Sequence, residues 1–286
     1  MDHNTLLIDA ETLERHLESP RWVVVDCRFS LAEPDLGRRL YNEGHIPGAV
    51  YAHLDEDLSG PLTPENGRHP LPDPNALAVR LGALGVGSES QVVAYDDAGG
   101  AFAVRLWWLL RWLGHPAVAV LDGGFPGWTA SGRPVTTQLP EVTPQSFTGV
   151  PERSAWVDTA ALLADVTGER TMQVVDARAA ERYRGEVEPI DPVAGHIPGA
   201  LNLPFSGNLD ASGHFLPAAQ LRERFISTLG ATPPERVVHS CGSGVNACHN
   251  QLAMEIAGLA GSRIYAGSWS EWIRDPARPV ATGATP

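Results

Sequence analysis

The chain has 286 residues, 43% of them hydrophobic and 19% charged, with a formal net charge of −13. That length predicts two domains, each able to bury its own core. The acidic balance argues against nucleic acid or an anionic membrane as a partner, since both call for a basic face.

In chain order, the first residues lack a basic stretch followed by an apolar one, so no signal peptide is predicted. Asp9 reads as the N-cap of a helix over AETLERHL. Trp22–Asp26, Gln91–Tyr95 and residues 117–121 read as buried strands, with helices over 75–84 and 101–113 between them. The most apolar run, 101–114, is broken by Arg105 and Arg111 and is too short to span a bilayer. Residues 136–153 are rich in Pro, Thr, Gln and Ser without apolar periodicity and read as a linker. Asp158 then caps a second helix, TAALLADV. Alternating strands and helices predict an α/β fold with a parallel sheet flanked by helices.

The chain also repeats itself. Val24-Val25-Asp26 recurs as Val174-Val175-Asp176, and the GHIPGA segment that starts at Gly44 recurs at Gly195. Val92-Val93 aligns with Val237-Val238, and Gly123-x4-Trp128 with Gly267-x4-Trp272. The matches keep their order at offsets of 144 to 151 residues, which predicts a tandem duplication. The expected division is a non-catalytic domain at 1–135, a linker at 136–153 and a catalytic domain at 154–286.

Three cysteines, Cys27, Cys241 and Cys248, are too few and too unevenly numbered for a disulfide framework, and they fit a reducing, cytoplasmic setting. Their spacing does not suit zinc, so no metal is expected. Cys241 stands out, because ligands of such sheets sit where a strand's carboxyl end passes into a helix. It falls there, followed by Gly242-Ser243-Gly244-Val245-Asn246-Ala247 and a helical segment. Two glycines let the backbone turn tightly and aim N–H groups inward, and the helix adds its positive end. Such a cradle stabilises a thiolate or a persulfide. Cys27 and Cys248 read as buried structural cysteines. In the first half Asp96 stands where Cys241 stands in the second, so only one half is expected to react.

The duplication, the paired GHIPGA segments and CGSGVNAC together resemble the two-domain sulfurtransferases of the rhodanese superfamily, over nearly the whole chain. The resemblance implies two rhodanese-like domains and a persulfide on Cys241. The loop is similar to that of the 3-mercaptopyruvate branch, Cys-Gly-Ser-Gly-Val-Thr-Ala-Cys, with Asn246 in place of threonine. The thiosulfate branch has Arg-Lys after the cysteine, where this chain has Gly242 and Ser243.

The resemblance further assigns donor binding to Arg182, in Glu181-Arg182-Tyr183-Arg184, and to the loop residues 242 and 244–247. The second arginine of the mercaptopyruvate branch is missing after Glu188-Pro189, where Ile190-Asp191 follows. Arg184 is expected to substitute, and thiosulfate stays open as the alternative donor. A serine-protease-like triad is implied as well, of Ser243, His69 and Asp55, to move a proton at the departing pyruvate. His45 and His196 occur in both halves and read as structural. The expected partners are a small anionic sulfur donor and an acceptor such as cyanide, a thiol or a thioredoxin-like protein, with no cofactor. A cysteine phosphatase would need an arginine where Ala247 stands. A non-enzymatic sulfur-carrier or protein-binding module is the remote alternative, opposed by Cys241 itself.

Overall fold

The computed structural model describes residues 3–286. The chain forms two compact units: one holds the residues up to 60 with 71–152 and 210–215, the other 61–70, 153–209 and 216–286. The first carries β1 (Leu7–Ile8), α1 (Ala10–Glu14), β2 (Trp22–Asp26), α2 (Leu36–Glu43), β3 (Val50–Tyr51), α3 (Pro74–Ala83), β4 (Gln91–Tyr95), α4 (Ala103–Trp112), β5 (Val118–Leu121) and α5 (Gly124–Ala130). The second carries β6 (Trp156–Val157), α6 (Thr159–Thr167), β7 (Gln173–Asp176), α7 (Ala180–Tyr183), β8 (Leu201–Asn202), α8 (Ala218–Leu229), β9 (Val237–Ser240), α9 (Asn246–Ile256), β10 (Arg263–Tyr265) and α10 (Ser268–Trp272).

The sheets are parallel throughout and ordered alike, β1-β5-β4-β2-β3 and β6-β10-β9-β7-β8. Central strands of such a sheet are covered on both faces and need continuous apolar runs. Gln91–Tyr95 meets that demand, with every residue buried. The second core gathers Leu162, Val174, Val238, Tyr265, Trp269 and Trp272. The repeated Gly-x4-Trp segments place Trp128 and Trp272 in the two cores, fully buried. Each indole N–H donates to a proline carbonyl at 2.8 Å, Pro134 for one and Pro279 for the other. That explains why the Arg-Pro-Val that follows also repeats. Truncating either indole to alanine would cost about 3–5 kcal/mol.

Caps fix the helix starts. Asp9 accepts from Thr12 N–H at 2.6 Å and Asp158 from Ala161 N–H at 2.7 Å, as the sequence suggests. The helix expected over 101–113 begins only at Ala103, because the Asp96 carboxylate takes the N–H groups of Phe102 and Ala103 at 2.7 and 2.8 Å. His45 and His196 are buried, stacked on Tyr41 and Tyr183, with Nδ1 on the Tyr41 and Tyr183 carbonyls at 2.7 and 2.8 Å.

The segment expected to link the domains is held in place. Up to Glu152 it groups with the first unit, through Gln145 N–H to Gly82 O (2.9 Å), Val150 N–H to Leu113 O (3.0 Å) and Glu152 N–H to Trp112 O (2.8 Å). Residues 61–70 group with the second unit, which a boundary drawn near 135 does not foresee. Among the described residues no helix is long and apolar enough to cross a membrane.

Candidate active site

β9 is the middle strand of the second sheet, and its carboxyl end delivers Cys241. Ligands of open parallel sheets bind at such a point, where the connections leave in opposite directions. Residues 241–245 then turn into α9, and every one of them is buried. Gly244 adopts φ +80°, and a Cβ there would lie 2.1 Å from the Ala266 carbonyl oxygen. Only glycine allows this approach. The turn aims Gly244 N–H at Cys241 Sγ, 3.2 Å away. No side chain caps α9. The positive end of its dipole therefore favours an anion at the sulfur.

The far side of the loop is clamped by the turn into α10. Trp269 N–H donates to Cys241 O (3.0 Å) and Ser270 N–H to Gly242 O (2.9 Å). Cys241 N–H donates to Ser268 Oγ at 3.0 Å, and that hydroxyl donates to Tyr265 O at 2.9 Å. Ser268 has φ +51°, a left-handed conformation uncommon for a non-glycine residue. Val245 and Ala247 are buried and Asn246 is half-buried at the first position of α9, so the predicted loop residues all line the one turn. Cys248 is fully buried behind the loop, with its thiol on Gly244 O at 3.4 Å, and Cys27 is buried in the first unit. All three cysteines are free.

Ser243 Oγ is hydrogen-bonded to His69 Nδ1 at 2.7 Å, with both side chains buried. His69 enters the second unit on the 61–70 segment. Asp55 lies in the first unit, exposed, with its N–H on His53 Nδ1 at 3.2 Å.

Of the two arginines named from sequence, Arg182 reaches the loop. A Cβ on Gly242 would lie 3.7 Å from its Nη1. Its other nitrogens are engaged: Nε and Nη2 grip Glu188 at 2.7–3.2 Å, and Nη2 also donates to Asp191 at 3.2 Å. Burial works against the charge of Glu188, but the Arg182 hydrogen bonds and the N–H groups of Asp191 and Ile190 outweigh it and hold its carboxyl below the usual value. Arg184 does not take the second arginine's place. It caps the C-terminus of α7, partly exposed, and its guanidinium is spent on Glu186 at 2.7–2.8 Å.

Two residues that the motifs do not announce complete the surroundings. Arg68 stands with Nη2 3.1 Å from that same Gly242 position and is ion-paired with Asp191. Arg178 is buried, paired with Asp176 (2.7 Å) and Glu188 (3.4 Å), and lies 4.8 Å from the Trp269 ring centroid. Burial opposes its charge, but Asp176, Glu188 and Cys241 more than offset this and keep it firmly cationic. A signal for Arg178 was present in the repeat, because Asp26-x-Arg28 recurs as Asp176-x-Arg178 with the same geometry. Arg68 had only its place beside His69.

The corresponding loop of the first unit is closed on itself. The Asp96 carboxylate accepts from the N–H groups of Ala98, Gly100, Phe102 and Ala103 at 2.7–2.9 Å. Among the described residues, one cluster has metal-ligand types, Asp35, His53 and Glu56. Both nitrogens of His53 are engaged there, Nε2 with Pro34 O (3.2 Å) and Nδ1 with the N–H of Asp55 (3.2 Å) and Glu56 (3.4 Å). A histidine so used has no lone pair left for an ion.

Two rhodanese-like domains match this chain, over residues 9–131 and 159–275. A probable 3-mercaptopyruvate sulfurtransferase of Pseudomonas aeruginosa is 52% identical over 97% of this chain and 98% of its own. A putative thiosulfate sulfurtransferase of Mycobacterium tuberculosis is 39% identical over 91% of this chain and 90% of its own. The solved structure of a 3-mercaptopyruvate sulfotransferase from Escherichia coli superposes with a TM-score of 0.81 at 31% identity, covering 94% of this chain and all of that one. A duplicated parallel sheet, one glycine-framed cysteine loop and these relatives lead to one assignment: the chain belongs to the rhodanese superfamily, as a two-domain sulfurtransferase.

Proposed function

We propose that the protein takes sulfur from 3-mercaptopyruvate onto Cys241 and passes it to a thiophilic acceptor. The observation that carries this reading is the 2.7 Å contact between Ser243 Oγ and His69 Nδ1 beside the cysteine. A paired hydroxyl and imidazole is of use where a leaving group must take up a proton. Pyruvate departs as an enolate and needs one; sulfite leaving thiosulfate does not.

The donor's carboxylate binds Arg182, whose planar fork suits it. The Cys241 thiolate attacks the donor sulfur, and the carbon–sulfur bond breaks with its electron pair going to the enolate. The enolate takes a proton through His69 and Ser243, giving pyruvate and a persulfide. N–H groups at the α9 terminus and Gly244 hold the negative charge on whichever sulfur bears it. Cyanide, a small thiol or a thioredoxin-like thiolate then removes the outer sulfur. Asp55 keeps, within this proposal, the aspartate role that the resemblance implies. Three free thiols suit a reducing cytoplasmic setting.

Thiosulfate is the second reading, supported by the name of the mycobacterial relative and by the guanidinium groups that flank Gly242. Steady-state transfer to cyanide from each donor, with wild type and Cys241→Ser, tests both. A preference for mercaptopyruvate that is abolished in Cys241→Ser is the expected result. A preference for thiosulfate overturns the donor, and activity surviving in Cys241→Ser overturns the persulfide.

A further inference from the structure

We infer that Arg68 is a donor-binding residue, and that Asp191, shared between Arg68 and Arg182, makes the site select a monoanionic over a dianionic donor. The inference rests on the reading of Cys241 as a persulfide carrier.

Arg68 is built into the loop's surroundings. Its backbone N–H donates to Ser270 Oγ at 3.1 Å, and Ser270 N–H donates to Gly242 O at 2.9 Å. The side chain hydrogen-bonds Asp191 through Nη1 and, at 3.5 Å, through Nη2. Its Nε is buried without a partner. The side chain keeps 27% of its surface exposed and Arg182 keeps 16%, so a small molecule can meet both. Their terminal nitrogens approach the same point at Gly242, 3.1 and 3.7 Å from where a Cβ would be. Any side chain at 242 would fill the space in which they converge.

Charge sets the preference. Arg68, Arg178 and Arg182 supply three positive charges, and Asp176, Glu188 and Asp191 supply three negative ones in contact with them. Their sum is zero. Apart from the Cys241 thiolate, the site thus offers oriented N–H donors without net positive charge. One carboxylate can be held by that geometry, whereas the second charge of thiosulfate meets no counterpart. With Asp191 neutralised the sum becomes +1, and a dianion gains relative to a monoanion.

The test is steady-state transfer to cyanide from 3-mercaptopyruvate and from thiosulfate, by the full chain carrying Arg68→Gln, Arg68→Lys or Asp191→Asn. For mercaptopyruvate, Arg68→Gln is expected to raise KM about tenfold or more with kcat within about threefold, and Arg68→Lys to recover part of the loss. Asp191→Asn is expected to raise the thiosulfate-to-mercaptopyruvate ratio of kcat/KM about tenfold. An Arg68→Gln enzyme with wild-type KM overturns the binding role. So does a loss confined to kcat and equal for both donors, which would make Arg68 a prop for the loop. An unchanged ratio in Asp191→Asn overturns the charge selection. Wild-type turnover of neither donor overturns the persulfide reading instead.

Discussion

His69 Nδ1 and Ser243 Oγ meet at 2.7 Å although 174 residues separate them, and both belong to one compact unit. Ser243 stands two residues along the loop from Cys241. In the proposed mechanism the pair serves the leaving group.

Removing either partner should separate the two donors. Ser243→Ala and His69→Asn are each expected to lower kcat for mercaptopyruvate about a hundredfold, the ordinary value of a positioned proton donor. Thiosulfate turnover should fall far less, since sulfite leaves without a proton. Equal losses with both donors would assign the pair to holding the loop.

Arg182 and Arg184 should behave oppositely, although only one residue lies between them. Arg182→Met leaves Glu188, 3% exposed, short of its main partner. Breaking a buried pair in this way is expected to cost about 3 kcal/mol of stability and to raise KM for the donor. Arg184→Ala removes only an exposed pairing with Glu186 and should leave KM within about twofold of wild type. Urea unfolding together with steady-state kinetics checks both.

Gly244→Ala combines a left-handed φ with a collision at Ala266 O. It should destabilise the protein by about 3 kcal/mol or more and abolish sulfur transfer. Gly213 is the control, since its φ is +82° and nothing lies within 4 Å of its Cβ position. Gly213→Ala should cost only about 1 kcal/mol, the backbone part alone, and leave activity intact.

Stability should fall with acid because of His239 in β9. Burial pushes this imidazole down from 6.5 to about 3, where only the neutral form fits. Its folded pKa lies below the unfolded one, so its contribution is complete above 6.5 and is lost as pH falls toward 3. At pH 5 the loss should be about 2 kcal/mol relative to pH 7. Urea midpoints at the two pH values check this, and His239→Gln should flatten the difference.

Much of this was legible in the residues. The repeat disclosed the duplication, and the glycine-framed cysteine at a strand end disclosed the turn from β9 into α9. The caps at Asp9 and Asp158 follow from short-range chemistry. What the sequence concealed depends on contacts between distant segments. Arg68 and Asp191 meet across 123 residues, and no spacing rule announces a partnership of that kind. Arg184 misled because it shares a short helix with Arg182, yet the last turn directs one guanidinium to the loop and the other to Glu186. The stretch 136–152 has a linker's composition, but its backbone finds partners that composition does not show.

Asp96 carries a consequence for the history of the duplicated chain. Its carboxylate serves four amides at once, so the first repeat's loop is complete without any visitor. A cysteine introduced there would bring one sulfur to a place that four donors now fill with two oxygens. Asp96→Cys would loosen the turn before it could create a second carrier. By supplying its own anion that repeat is no idle spare one step from recovery, and under the proposed mechanism sulfur traffic has a single port, Cys241.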